Sequence, residues 1–215
     1  MLQIFLKTLL FYSVTGYILN YLFPGKVKNK FKYASYYLTL LHQGLILPYY
    51  FVIRNLDIDD LGTTQIMCIS TINYFFVDSV INRSQIFKDY KFLLHHLITI
   101  SVVLFGVILC DLRSYYIIGI LFCLEFGSLW LSVTDLYPTK LNYKLRFYFY
   151  LLSRVINLKF LKDAVIDNYN NLPFTLFFLF TLGMVLLYCH NILIGYYLYK
   201  GSFKNRINES NHHNS

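Results

Sequence analysis

Charge is what this sequence has least of. Asp, Glu, Lys and Arg make up 14% of its 215 residues, against roughly 25% in soluble domains. A solvated surface over most of the chain is thereby excluded. Proline and glycine are also sparse, at 4 and 10 residues, and no Pro/Gly/Ser-rich linker divides the chain. The four cysteines, Cys68, Cys110, Cys123 and Cys189, form no CxxC pair and no metal-type spacing. They read as small buried hydrophobes, and no metal site is expected. No Gly-rich phosphate loop, G-x-S-x-G elbow or HExxH helix is present, so the chemistries tied to those motifs lose their signatures. An inverted repeat with paired Gly/Pro-broken helices is missing too, which argues against a transporter.

What is present is apolar. Hydrophobic residues make up 57% of the chain and the mean hydropathy is +0.49. Apolar runs near the ~20 residues that cross a bilayer recur along its length. The pattern predicts an all-α, polytopic membrane helix bundle with about seven spans. These are Met1–Phe23, Tyr33–Ile53, Thr64–Ile81, Tyr90–Cys110, Ser114–Val133, a shorter Leu145–Leu161 and Pro173–Tyr199. Lys7 interrupts the first run and no small-residue cleavage site follows, so a retained helix is expected rather than a signal peptide. Pro48 predicts a kink near the end of the second span. The expected organisation is an N-terminal helix with its basic loop (1–32), a six-helix membrane domain (33–200) and a disordered polar tail (201–215).

The net charge of +8 does not indicate nucleic acid, because the basic residues fall in short loops between spans. Seven spans put Lys26, Lys28, Lys30, Lys32, Arg83, Lys88, Lys91, Lys140, Lys144, Arg146, Lys200, Lys204 and Arg206 on one side. The other side holds Lys7, Arg54, Arg113, Lys159 and Lys162. The positive-inside rule then places the tail in the cytosol and the N-terminus outside or in a lumen. The Lys26–Lys32 run sets topology and touches anionic lipid.

Ionisable groups inside the spans are the informative minority, since they face a bundle interior or a water-filled cavity. His95 and His96 lie in the first two turns of the fourth span, with Asp78 in the third and Glu125 in the fifth. Arg154 sits on the sixth, and His190 with Asn191 on the seventh. At 1.5 Å per residue these come to similar depth in the cytosolic half, which predicts a polar cavity opening that way. Adjacent histidines point about 100° apart, so one imidazole is expected in the cavity as general base. The other is then held by a carboxylate or a backbone carbonyl. The alternative is that these groups only fix helix packing. Ser128, Ser132 and Thr134 are expected to bond back to their own helix.

The run Tyr74-Phe75-Phe76-Val77-Asp78, then His95-His96-Leu97-Ile98-Thr99, then Leu124-Glu125-Phe126-Gly127-Ser128, with the ending His190-Asn191 to Tyr199-Lys200, resembles the TLC-domain family. That membrane domain is shared by ceramide synthases, translocating-chain-associated proteins and the Batten-disease endoplasmic-reticulum protein. The likeness runs from about Tyr33 to Lys200. It implies a six-helix barrel in the endoplasmic reticulum, with a site reached from the cytosol. On the ceramide-synthase side it implies N-acyl transfer from acyl-CoA, as co-substrate, to a sphingoid-base amine. No bound cofactor is implied. His95, His96, Asp78 and Glu125 would then be catalytic, and Thr99, Ser128, Arg154, His190 and Asn191 would contact substrate. The synthases' His-Asp-x-Ser-Asp step is absent, because Ile117, Ile118, Ile120 and Leu121 occupy it. The pattern is more similar to TLC-domain proteins outside the synthase branch. A non-catalytic lipid-binding, lipid-sensing or trafficking protein is the alternative expectation.

The topology makes a direct prediction. Both sequons, Asn82-Arg83-Ser84 and Asn208-Glu209-Ser210, face the cytosol and stay unglycosylated. A glycosidase-sensitive mobility shift that disappears in Asn82→Gln would overturn the assignment.

Overall fold

The computed structural model describes residues 2–25, 27–28, 31–56, 61–83, 90–104, 114–169 and 171–204. The expected acidic loop, the loop after Asn82, the end of the fourth span with Cys110, the Asp111–Arg113 turn and the tail beyond Lys204 lie outside these residues. Apart from a two-residue hairpin, all regular structure among the described residues is helical. The helices are α1 (Leu2–Leu22), α2 (Tyr33–Leu41), α3 (Leu47–Leu56), α4 (Leu61–Ile81), α5 (Tyr90–Leu104), α6 (Ser114–Leu136), α7 (Lys140–Tyr169) and α8 (Phe174–Tyr199). The hairpin pairs β1 (Val27–Lys28) with β2 (Phe31–Lys32) in antiparallel register.

Each of the four prolines marks a break, as a residue with no N–H and a fixed φ should. Pro24 follows α1, and the adjacent Gly25 takes φ +64°, a left-handed conformation that favours glycine. Pro138 lies between α6 and α7, and Pro173 caps α8. Pro48 acts one turn earlier than expected. Its ring would collide with the carbonyl four residues back, and the preceding turn, His42–Ile46, widens to a π-helix in which the Leu47 N–H bonds His42 O. The second span is therefore α2, the wide turn and α3 in series.

Other boundaries differ from the sequence reading. The expected Asp135–Arg146 loop is mostly helical. The sixth helix runs Lys140–Tyr169, far beyond Leu145–Leu161, because no proline or glycine interrupts it. The first tail residues continue the last helix as a wide turn, Lys200–Lys204, tied down by Ser202 Oγ donating to Tyr143 O at 2.8 Å.

Among the described residues, four helices are long and apolar enough to cross a membrane: Leu2–Leu22, Gly62–Ile81, Ile118–Leu136 and Phe174–Ser202. Beside a buried apolar core, α7 is inside-out relative to a helix of a soluble protein. α7 buries Tyr150, Ser153, Arg154 and Asn157 while Leu151, Leu152, Val155 and Ile156 face outward. An apolar exterior with a polar interior suits hydrocarbon surroundings, where polar groups must be satisfied internally.

The neighbour relations close on themselves. α4 packs on α5, α5 on α8, α8 on α7 and α7 on α6. α6 packs on α2 and α3, which return to α4. α1 stands outside this circuit against α2 and α4. The α6–α7 contact is the most extensive, and small residues permit it: Gly119, Cys123 and Gly127 recur every fourth position on α6. A Cβ on Gly119 would lie 2.5 Å from the Phe160 ring, and one on Gly127 would overlap Ser153.

Gly127→Val should therefore force α6 and α7 apart, at a cost of about 1–3 kcal/mol for overpacking. The expected readout is a lower thermal midpoint of the detergent-solubilised protein. An unchanged midpoint would mean the helices do not approach this closely.

Candidate functional site

α5 points one stripe inward, with His96, Thr99 and Val103 buried at i, i+3 and i+7. His95 flanks that stripe, so the two imidazoles diverge as adjacent helical positions must. His96 Nε2 lies 3.6 Å from Asp78 Oδ2, and its Nδ1 is 3.1 Å from Ser79 Oγ. His95 Nε2 lies 3.9 Å from Glu125 Oε1. Each histidine thus has its own carboxylate, at ion-pair rather than hydrogen-bond distance. The His95 side chain is 23% exposed against 4% for His96, which makes His95 the accessible one.

The carboxylates are held differently. Asp78 Oδ1 accepts from Ser35 Oγ and from Asn82 Nδ2 at 3.2 Å. Glu125 is fully buried, and its Oε2 accepts from Gln43 Nε2 at 2.7 Å. Its Oε1 has no hydrogen-bond partner among the described residues and is the oxygen nearer His95. Asp78 and Glu125 thus flank the histidines from other helices. Ile118, Ile120 and Leu121 are packed in the apolar core with Met67 and Leu124.

Arg154 organises the next layer. Nη1 donates to Cys123 O (3.1 Å), Leu124 O (2.9 Å) and Ser153 Oγ (3.0 Å). Nε donates to Asn191 Oδ1 at 3.0 Å and Nη2 to Ser128 Oγ at 3.2 Å. The guanidinium also lies 4.1 Å over the Tyr150 ring, whose hydroxyl donates to the same Asn191 oxygen at 2.8 Å. Ser128 bonds back to Leu124 O at 2.9 Å as expected, and so accepts from Arg154 while donating within its own helix.

These groups border one cavity of about 330 Å³. Asp78, His95, His96, Ser128 and Arg154 line it directly. The His190 ring stacks 6.4 Å from that of His95. Thr99 is buried one turn along α5, away from the lining, and its hydroxyl has no hydrogen-bond partner among the described residues. Sequence reading passed over Ser35, Thr39, Gln43, Tyr74 and Tyr150, all on the wall. Gln43, beside His42 in an apolar run, obeyed the same rule that exposed the His95–His96 pair. Among the described residues no three His, Cys, Asp or Glu side chains are grouped to hold a metal ion. Comparison with protein-family models, with curated proteins and with solved structures gives no match for this chain.

Arg154→Ala would leave two helix carbonyls, Asn191 and Ser128 without their donor in a buried setting. A loss of about 2–5 kcal/mol follows, read as a large fall in thermal midpoint or folded yield. Arg154→Lys should recover only part, because an ammonium cannot span the same acceptors. Full recovery by lysine would show that charge alone matters.

Proposed function

We propose that this chain is a multi-pass membrane protein of lipid metabolism that transfers an acyl group from a thioester, such as acyl-CoA, to the amine of a long-chain acceptor of the sphingoid-base kind. The observation that carries this reading is the pair of histidine–carboxylate contacts, His95 with Glu125 and His96 with Asp78, in which His95, His96 and Asp78 line one cavity and Glu125 is buried behind His95. On this reading the circuit formed by α2 to α8 would be a six-helix TLC-type barrel, with α1 as a seventh span. We assign the N-terminus to the lumen and the tail to the cytosol of the endoplasmic reticulum.

In this mechanism the acceptor nitrogen attacks the thioester carbonyl carbon, forming the C–N bond and breaking C–S. His95 takes the proton released by the amine and returns it to the departing thiolate. The Glu125 Oε1 stabilises the imidazolium that forms in between. His96, held between Asp78 and Ser79, fixes the first turns of α5. Among the described residues Arg154 Nη2 donates to Ser128 alone, which leaves its second N–H for a substrate oxygen. At about 330 Å³ the cavity suits a headgroup and the reacting bond, near the lower end of ligand pockets at roughly 300–1,000 Å³. The chains would extend into the bilayer.

A second reading is a protein that holds lipid without turnover. The engagement of Asp78 Oδ1 by both Ser35 and Asn82 favours it. Cells expressing wild type, His95→Ala or Glu125→Gln at matched levels would be fed labelled sphingoid base and fatty acid. The expected result is a labelled N-acyl product that falls at least about 100-fold in His95→Ala and by a smaller factor in Glu125→Gln. No product, with lipid co-purifying in a His95-dependent way, would replace transfer by lipid holding. Neither signal would leave the histidines a packing role and overturn both readings.

A further inference from the structure

We propose that the groove between α1 and the outer face of α4 is a binding site for an anionic phospholipid, its phosphate held by Lys32 and Arg83. The groove measures about 350 Å³ and is separate from the histidine cavity. α4 serves both. Tyr74, Phe75 and Asp78 turn toward the cavity, while Phe76, Val80 and Ile81 turn toward the groove, as a 3.6-residue period requires.

The groove has a charged end and an apolar end. Lys32 and Arg83 line it together with the polar Asn20 and Tyr17 of α1. None of its lining residues is acidic, and neither cation makes an ion pair among the described residues. Two cations with no counter-charge among the described residues make a receptor for an anion. Below them, Phe76 and Val80 are 57% and 55% exposed, an uncovered apolar strip against which an acyl chain can lie. Headgroup level is also where the groove sits, because it spans the last turns of both α1 and α4. Basic clefts between helices at a membrane edge are suited to lipid headgroups in this way.

Lys32 is not carried by a loose loop. Its backbone N–H donates to Asn82 Oδ1 at 3.2 Å, so α4 itself sets its position at the end of the small hairpin. Gly16 keeps the groove narrow: a Cβ there would come within 3.0 Å of Ile81. The site depends on the chain lying in a bilayer and is independent of acyl transfer.

Native mass spectrometry of the full chain released from vesicles of mixed phosphatidylglycerol and phosphatidylcholine tests this. Wild type is expected to retain phosphatidylglycerol preferentially. Lys32→Gln/Arg83→Gln should cut that retention on the order of tenfold or more, whereas Lys140→Gln/Lys144→Gln, changed elsewhere on the same side, should not. Val80→Trp, which fills the apolar strip without altering charge, should lower retention as well and covers the case in which the double variant fails to fold. Equal retention of the two lipids by wild type, or an equal loss in the Lys140/Lys144 variant, would overturn the site. Displacement by soluble glycerol phosphate at lipid-like concentrations would overturn the assignment to a lipid.

Discussion

A guanidinium midway along a helix whose other face is apolar and exposed has to find its hydrogen bonds inside the protein. Arg154 does so by reaching in three directions: across to two α6 carbonyls, onward to Ser128, and to Asn191 on α8. Bonds from a charged donor contribute about 1.5–3 kcal/mol each, and here they join three consecutive helices at one level. The close α6–α7 approach across Gly127 brings the Leu124 carbonyl within reach, so packing and polar satisfaction depend on each other.

The histidine cavity is built beside this junction. Arg154 fixes the α6 turn that carries Glu125, and Gln43 on the wide turn between α2 and α3 fixes the carboxylate itself. Opposite them, Asp78 takes Ser35 from α2 and Asn82 from its own helix. The two carboxylates are therefore set before either imidazole meets them, and they come from different helices than the histidines. That arrangement gives α5, which carries one ring on its buried stripe and the other beside it, a place in the bundle fixed by polar contacts on both flanks. It also leaves His95 as the imidazole with room beside it.

Much of this was legible because the bilayer penalises exceptions. Asp78, His95, Glu125, Arg154 and Asn191 were conspicuous as polar residues in apolar runs, and helical rise alone put them at one depth. Pairing was not legible. Spacing could not say that His96 meets Asp78 while His95 meets Glu125, since that depends on how α4, α5 and α6 rotate about their own axes. Neutral residues were the other blind spot. Ser35, Thr39 and Tyr74 look unremarkable in a membrane span, yet Thr39 and Tyr74 join hydroxyls at 2.7 Å on the cavity wall. Helix ends in charged stretches were misjudged as well. Lys159 and Lys162 read as a loop approaching, but long basic side chains on an exposed helical face are compatible with an unbroken α7.

α1 shows how a helix outside the circuit still acts on the cavity. Tyr12 is fully buried and reaches His42 Nδ1 at 2.6 Å and Ser70 Oγ at 2.9 Å. His42 in turn stacks on Tyr74 with ring centroids 4.2 Å apart, and Tyr74 is part of the cavity wall. The chain Tyr12–His42–Tyr74 runs from the outermost helix to the site through the wide turn after α2 and through α4. His42 opens the π-turn that Pro48 imposes, so this irregular turn is clamped from outside by α1. Gln43, the next residue, holds Glu125. A backbone defect that a single proline creates is thus stabilised on one side by a tyrosine and used on the other to position a carboxylate. The first helix is consequently a structural part of the site even though none of its residues lines the cavity.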